Sequence, residues 1–220
     1  MDVRFGFVVS LATATLVCSG GVRAQDPAAV HNSAAAETSH EWEFSASVFT
    51  FAPAHDTAYA SPILTADRDW LHLEARYNYE AIDTGSVFVG YNLDAGNDEL
   101  SFTATPILGG VFGDTTGIAP GAEVALGYSR FELYAEAEYV FDTRDSSDDF
   151  FYMWSELTYS PADWMRFGLA AQRTRAYHTD LDVQRGLLLG FKTKHVDFTA
   201  YLFNVGWDDA LLVFSVGFSA

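Results

Sequence analysis

The chain has 220 residues but only one cysteine, Cys18. This cysteine lies in a predicted export signal, so disulfides, thiol catalysis and cysteine-type zinc sites are excluded for the part of the chain that follows. Basic residues are scarce too, because 12 lysines and arginines stand against 30 aspartates and glutamates, for a formal net charge of −18. A chain this acidic is poorly suited to binding nucleic acid.

Long hydrophobic runs are also missing. The longest, at residues 5–17, falls short of the about 20 residues that a membrane-spanning helix needs. The run follows Arg4 and precedes a small-residue sequence that ends at Ala24. This order predicts a Sec-type signal peptide over residues 1–24, cleaved near Ala24.

Two further expectations concern the N-terminal region. Lipid attachment at Cys18 is the alternative to cleavage near Ala24, but bulky Val17 stands where lipoprotein signals have a small residue. Residues 25–40 are small and polar without a period, which predicts a flexible periplasmic leader ahead of the folded domain at residues 41–220.

Alternation of apolar and polar residues dominates the chain from Glu41 onward. The clearest segment is LHLEARYNYE at residues 71–80, in which every second residue is apolar. Such a period is typical of a strand with two different faces. About twelve strands of this kind are predicted, at residues 41–51, 58–66, 70–80, 86–93, 99–110, 118–128, 131–141, 150–160, 165–177, 183–193, 196–205 and 210–219. Treating residues 52–69 as one loop gives about eleven strands, and about ten is kept as the alternative count.

The predicted connections alternate between tight and long. Tight turns fall at residues 67–69, 94–97, 129–130, 160–163 and 194–195. Longer connections fall at residues 53–57, 81–85, 112–117, 142–149, 178–182 and 206–209. Bacterial membrane barrels have short periplasmic turns and longer outer loops, so the pattern predicts an all-β, transmembrane, antiparallel up-and-down barrel.

Barrel size indicates which face points outward. About eight strands enclose a lumen that side chains can fill, whereas about twelve would leave an apolar lumen unpacked. The apolar face is therefore expected to contact lipid, although a soluble two-sheet sandwich remains the alternative. The expected lipid-facing residues are Leu71, Leu73, Leu133, Leu169, Leu189, Phe198, Phe214 and Phe218. The expected interfacial aromatic girdle comprises Tyr79, Tyr128, Phe131, Tyr139, Tyr159 and Trp164.

With its export signal, paired strands, YSPADW turn and aromatic-rich last strand LLVFSVGFSA, the sequence resembles bacterial outer-membrane β-barrel proteins, a broad porin-like class. The resemblance implies the outer membrane of a Gram-negative cell as location, and lipids and the barrel-assembly machinery as partners. Members commonly end on an aromatic residue, whereas here Phe218 is followed by Ser219 and Ala220.

Polar residues on the opposite parity are expected to line the lumen. They are His72, Glu74, Arg76, Asn78, Glu80, Glu123, Glu132, Glu136, Glu138, Glu156, Arg166, Lys192 and Asp197. Acids outnumber bases in this set, so one interpretation is a small passive channel for polar or cationic solutes. The other is a closed structural barrel in which these charges pair across the interior.

Two rival sites are weighed in the connections. Asp142, Asp145, Asp148 and Asp149 form an acidic segment without the EF-hand spacing, so a solvated loop is favoured over a calcium site. A hydrolase using rim groups is the other rival, but no hydrolase or protease motif is present. Its candidate groups are His55, Asp56, His178, Asp180 and Asp182. No cofactor, metal site or catalytic residue is predicted.

Overall fold

The computed structural model describes residues 41–174 and 183–219. The predicted signal peptide at residues 1–24 and the predicted leader at residues 25–40 lie outside the described residues. No helix within the described ranges is long and apolar enough to cross a membrane.

The described residues form thirteen strand segments and one short 3-10 turn, Ser146–Asp148. The strands are β1 Glu43–Pro53, β2 Tyr59–Arg68, β3 Leu71–Tyr77, β4 Thr84–Tyr91, β5 Leu93–Gly96, β6 Leu100–Gly113, β7 Gly117–Tyr128, β8 Phe131–Asp142, β9 Phe150–Ala162, β10 Met165–Arg173, β11 Gln184–Lys192, β12 Val196–Phe203 and β13 Leu211–Ser219. Segments β4 and β5 pair one after the other with β6, on either side of Asn92. Segments β4 and β5 therefore count as one strand, and the wall of the barrel has twelve strands.

Each strand pairs antiparallel with its sequence neighbours, and β1 pairs with β13 to close the sheet. The closing ladder runs from Ser45 opposite Ser219 to Pro53 opposite Leu211. The predicted all-β, twelve-stranded, up-and-down barrel is confirmed. Strand β2 occupies part of residues 52–69, so the eleven-strand count, which treats that segment as a single loop, is wrong.

One end of the barrel carries tight turns, and we call it the tight-turn end. Its connections are residues 69–70, 97–99, 129–130, 163–164 and 193–195. The opposite, long-loop end carries residues 54–58, 78–83, 114–116, 143–149 and 204–210, and β10 ends and β11 begins there, at Arg173 and Gln184. Asp69 and Ser129 adopt left-handed backbone with φ of 53° and 57°, as two-residue hairpin turns require.

Three predicted turns begin too early. Those at residues 67–69 and 160–163 overlap the ends of β2 and β9, and the third differs most. Residues 94–97 were expected to form a turn, but Leu93–Gly96 continues the wall as β5. The turn comes after it, where the side-chain oxygen of Asn97 accepts hydrogen bonds from the backbone N–H groups of Glu99 and Leu100. The Asn97 side chain thus replaces backbone partners that the strand no longer supplies.

Strand pleating separates the two faces of the wall. Leu73 and Leu169 lie on the outer surface with 38% and 57% of their area exposed, whereas His72 and Arg76 inside retain only 2% and 4%. Large apolar residues cover the outside of every full-length strand. An apolar outer wall around a polar and aromatic interior is the arrangement of a barrel that crosses a membrane.

The interior parity changes where β3 ends. Asn78 follows Tyr77 with a φ of 54°, so the regular pleat stops there and the next side chain turns inward. Tyr79, expected in the outer girdle, is 5% exposed and lies inside the lumen. Asn78, expected to line the lumen, instead donates to the carbonyl of Ala60 and accepts from the N–H of Asp83. Both assignments were wrong because they extended the strand by several residues.

Candidate functional site

The lumen has an aromatic half near the long-loop end. In β1, β9, β12 and β13 the inward residues closer to that end are apolar and buried, and they are Phe49, Phe51, Phe150, Tyr152, Trp154, Tyr201, Phe203, Leu211 and Val213. The Trp154 ring meets Phe49 and Tyr201 edge-on, with centroids 5.7 and 5.3 Å apart. Tyr79 joins this group from the opposite wall, 5.0 Å from Tyr152. Aromatic packing therefore spans the lumen at this level.

The polar half lies toward the tight-turn end of the same strands. There the inward residues are small or polar, among them Ser45, Ser47, Thr158, Asp197, Thr199 and Ser215. The chain thus changes from aromatic to polar lining within single strands, as from Trp154 to Glu156 and Thr158 on β9. The two halves follow from this order of residues along each strand.

Arg76 is a buried inward residue of β3 and is surrounded by acids. Its partners are Glu74, Glu80, Glu123, Glu136 and Glu138, which with Arg76 we call the Arg76 cluster. Nη1 lies 2.5 Å from Oε1 of Glu136, and Nη2 lies 2.6 Å from Oε2 of Glu74. The remaining contacts, to Glu123, Glu80 and Glu138, measure 3.3, 3.5 and 3.6 Å. The cluster joins β3, β7 and β8 across the interior.

Neighbouring groups hold the Arg76 cluster in place. Tyr79 and Tyr134 both donate hydrogen bonds to Oε2 of Glu136, at 3.2 and 3.3 Å. Ser86 donates to Oε1 of Glu80 at 2.7 Å. The guanidinium lies 4.5 Å from the ring centre of Phe88, within reach of a cation–π interaction. These contacts fix the charged groups in one arrangement and connect them to the aromatic half through Tyr79.

Negative charge exceeds positive charge within the Arg76 cluster. Five carboxyl groups face one guanidinium, and the side chains of Arg76, Glu80 and Glu138 are completely buried. Both carboxylate oxygens of Glu138 lack a hydrogen-bond partner. Buried carboxylates without full compensation are costly, so this region attracts cations or protons.

His72 belongs to a hydrogen-bonded chain beside the Arg76 cluster. Its Nδ1 lies 2.8 Å from Oδ1 of Asp67, which also accepts from Nδ2 of Asn92 at 2.8 Å. Asn92 in turn accepts from the hydroxyl of Thr105 at 2.7 Å. On the other side of the imidazole ring, Nε2 of His72 is buried, has no hydrogen-bond partner and lies 3.7 Å from Oε2 of Glu74. This series of hydrogen bonds orients the imidazole of His72 so that Nε2 faces the glutamates.

His72, Glu74 and Glu123 bring one potential metal-ligating atom each to within 4.8 Å of one another. Sequence analysis predicted no metal site, because Glu123 is far from the other two residues in the chain. Strands β3 and β7 bring them together across the lumen.

The other predicted lumen residues lie apart from this group. Arg166 donates to Thr199 at 2.6 Å and to Asp197 at 3.3 Å, forming a second charged group on β10 and β12. Glu156 accepts hydrogen bonds from the indole N–H of Trp154 and the hydroxyl of Tyr201, both at 2.8 Å.

The remaining lumen residues and the predicted outer residues occupy less central positions. Glu132 is half-buried near the tight-turn end, and Lys192 is exposed at the rim. Of the residues expected to face lipid, seven are exposed and Leu71 is half-buried. In the expected aromatic girdle, Tyr159 is half-buried, and the exposed residues are Tyr128, Phe131, Tyr139 and Trp164.

Sequence reasoning missed three residues of the site. Asp67 was placed in a turn, but it is the last inward residue of β2 and binds His72. Asn92 and Thr105 were not singled out, although both lie on the inward parity of their strands. A polar residue on the inward parity was the available signal for all three.

The acidic connection uses its carboxylates to hold its own backbone. Asp142 accepts from the N–H groups of Arg144 and Asp145, and Asp149 accepts from the N–H of Asp142. The backbone N–H and hydroxyl of Ser147 donate to Asp145 and lower the pKa of its carboxyl group. These contacts favour a hydrated loop over a calcium site.

The rim groups proposed for a hydrolase are only partly described. His55 and Asp56 are exposed, and Asp56 accepts from the N–H of Thr57. His178, Asp180 and Asp182 lie outside the described residues.

Comparison with known proteins links the fold to porins. No protein-family model matches the chain, and no curated protein matches it. The solved KdgM porin is similar in structure, with a TM-score of 0.55 and 11% identity over 80% of this chain and 99% of that one. The KdgM porin in complex with disordered oligogalacturonate gives 0.53 at 11% identity, with the same coverage. Outer membrane protein Omp33 of Acinetobacter baumannii gives 0.46 at 13% identity over 82% of this chain and 99% of that one. The two KdgM structures show that this chain shares the barrel fold of a porin.

Proposed function

We propose that this protein is a porin-type channel of the outer membrane that admits small cations or polar solutes. The observation that carries the proposal is the Arg76 cluster, where five glutamates face one arginine inside the lumen. Rings of carboxylates favour cations in a pore. The apolar outer wall and the porin fold support a location in the membrane.

The acidic lumen also bears on which solute passes. The KdgM porin was solved with oligogalacturonate, a chain of sugar carboxylates. Such a polyanion would meet the glutamates of the Arg76 cluster in this barrel, and like charges repel strongly where water is scarce. We therefore propose a solute that is neutral or positively charged.

Conduction through this lumen requires movement at its centre. The side chains of Arg76, Glu80 and Glu138 are fully buried in the described conformation. We propose that these side chains part when a solute passes, so that the channel is narrow and conducts weakly. A second candidate, a closed structural barrel, is favoured by the same burial.

Recordings across planar lipid bilayers test the proposal. Refolded wild-type protein is expected to give small unitary currents, with a reversal potential under a KCl gradient that indicates a preference for K⁺. Glu136→Gln removes one charge from the Arg76 cluster and should reduce that preference. Asp148→Asn removes the same charge from an exposed loop and should leave the preference unchanged.

Two outcomes would reject the channel. Absence of any current over the whole voltage range, with folded protein in the bilayer, would favour the closed barrel. Anion preference in the wild type would contradict the role given to the glutamates.

A further inference from the structure

We propose that His72, Glu74 and Glu123 bind a divalent transition-metal ion of the zinc class inside the lumen. This site does not depend on whether the barrel conducts. The three potential ligand atoms lie within 4.8 Å of one another. Tetrahedral zinc holds nitrogen and oxygen ligands at about 2.0–2.2 Å, which sets neighbouring ligand atoms roughly 3.4 Å apart. Small rotations of the two glutamate side chains close this difference.

The histidine is oriented as metal-binding histidines are. Because Nδ1 of His72 faces the carboxylate of Asp67 at 2.8 Å, we place the imidazole proton on Nδ1, which leaves a lone pair on Nε2. Nε2 is buried, has no hydrogen-bond partner and points toward Glu74. A carboxylate behind the ligating histidine is the usual support in zinc sites. Here Asn92 fixes that carboxylate in turn.

Charge around the site also favours a cation. Nη2 of Arg76 contacts Glu74 at 2.6 Å and Glu123 at 3.3 Å, but the same guanidinium must serve the other glutamates of the Arg76 cluster. Oε2 of Glu74 faces both Arg76 and Nε2 of His72. Each carboxylate has two oxygens, so rotation of the Glu74 carboxylate would let it bind Arg76 through one oxygen and the ion through the other. A bound divalent ion would offset part of the buried negative charge.

The donor set selects the kind of metal. One imidazole nitrogen with two carboxylates suits zinc and related divalent ions, whereas Ca²⁺ and Mg²⁺ prefer oxygen ligands alone. Glu123 is the least buried of the three ligands, with 16% of its side chain exposed toward the lumen. Water or a solute therefore has room to supply a fourth ligand on that side.

Calorimetric titration of the refolded, tag-free protein with ZnCl₂ tests the site. We expect one tight equivalent of Zn²⁺ per barrel and much weaker binding of CaCl₂. His72→Ala should abolish the tight equivalent, and Glu123→Gln should weaken it. Asp67→Asn, which touches only the support of His72, should lower the affinity by about 10–100-fold.

Matched controls separate this site from adventitious binding. His195→Ala removes an exposed histidine at the tight-turn rim, and Asp145→Asn weakens the acidic loop, so neither should change the tight equivalent. Far-ultraviolet circular dichroism checks that each variant has folded, and Glu123→Gln and Asp67→Asn decide the matter if His72→Ala does not fold. Titration with Co²⁺ gives a second readout, since tetrahedral ligation produces intense visible absorption that His72→Ala should remove.

The proposal is overturned if wild-type protein binds no Zn²⁺, or if both His72→Ala and Glu123→Gln bind it as the wild type does. Failure here is distinct from failure of the channel. A barrel that binds zinc but carries no current would keep the metal site and lose the channel, and a conducting barrel without zinc binding would do the reverse.

Discussion

The aromatic half of the lumen differs in composition from the polar half and the Arg76 cluster beside it. In the aromatic half Trp154, Tyr201 and Phe49 fill the space with rings and bury apolar area. In the polar half and at its junction with the aromatic one, Arg76 and its glutamates hold the walls together through charge. Ring packing tolerates the loss of one contact better than a charged cluster tolerates the loss of its only cation. The comparison therefore predicts that the two halves respond differently to substitution.

The largest effect is expected for Arg76→Met. Removing the guanidinium leaves five glutamates, four of them buried, without their shared partner, and breaking a buried charged group typically costs about 3–5 kcal/mol. Urea unfolding of the protein in lipid vesicles measures the loss. Lys192→Gln removes the same charge from the exposed rim and should leave the unfolding midpoint unchanged. Equal stability of the two variants would mean that the glutamates do not need Arg76.

A smaller effect is expected for Trp154→Phe in the aromatic half. Phenylalanine keeps most of the ring packing but loses the N–H that donates to Glu156, and a hydrogen bond to a charged group contributes about 1.5–3 kcal/mol. The same unfolding experiment applies, with Trp164→Phe on the outer surface as the matched control. If Trp154→Phe destabilises the barrel more than Arg76→Met does, the ranking of the two halves is reversed.

The third test measures solvent access instead of stability, and compares how readily water reaches each half of the lumen. In a Cys18→Ser background, Thr103→Cys places a thiol at a half-buried position near the tight-turn end, and Val213→Cys places one among the buried residues of the aromatic half. A small water-soluble maleimide should label Thr103→Cys faster, because thiols react only where solvent and reagent reach them. Faster labelling of Val213→Cys would show that the aromatic half is the more accessible to solvent.

Much of the wall could be predicted because the signal is local. Alternation with a period of two fixes both the strand and its faces, which is why residues 131–141 and the turn at Ser129 and Arg130 match the structure closely. Which face of each strand points outward was predicted from the size of the barrel. The two-residue turns at residues 69–70 and 163–164 were placed less accurately, at residues 67–69 and 160–163.

The interior arrangement was less predictable, since it depends on the register and tilt of strands that are far apart in the chain. Arg76, Glu123 and Glu136 were each assigned to the lumen, but no local pattern shows that they converge on one point. Asn78 illustrates a different failure. A single residue in left-handed backbone reversed the parity, and Tyr79 lies in the aromatic half instead of the predicted outer girdle.

Pairing of β1 with β13 joins the two ends of the described chain, from Ser45 opposite Ser219 onward. Contacts between segments so distant in sequence form late, because a long loop must close before they are made. Until then β1 carries a free edge of backbone groups, and lipid has no hydrogen bonds to satisfy them. A truncation that removed β13 would leave two such edges, on β1 and β12, in a wall that is otherwise fully paired. The last described strand, β13, is therefore the one on which the first described strand, β1, depends for its partner.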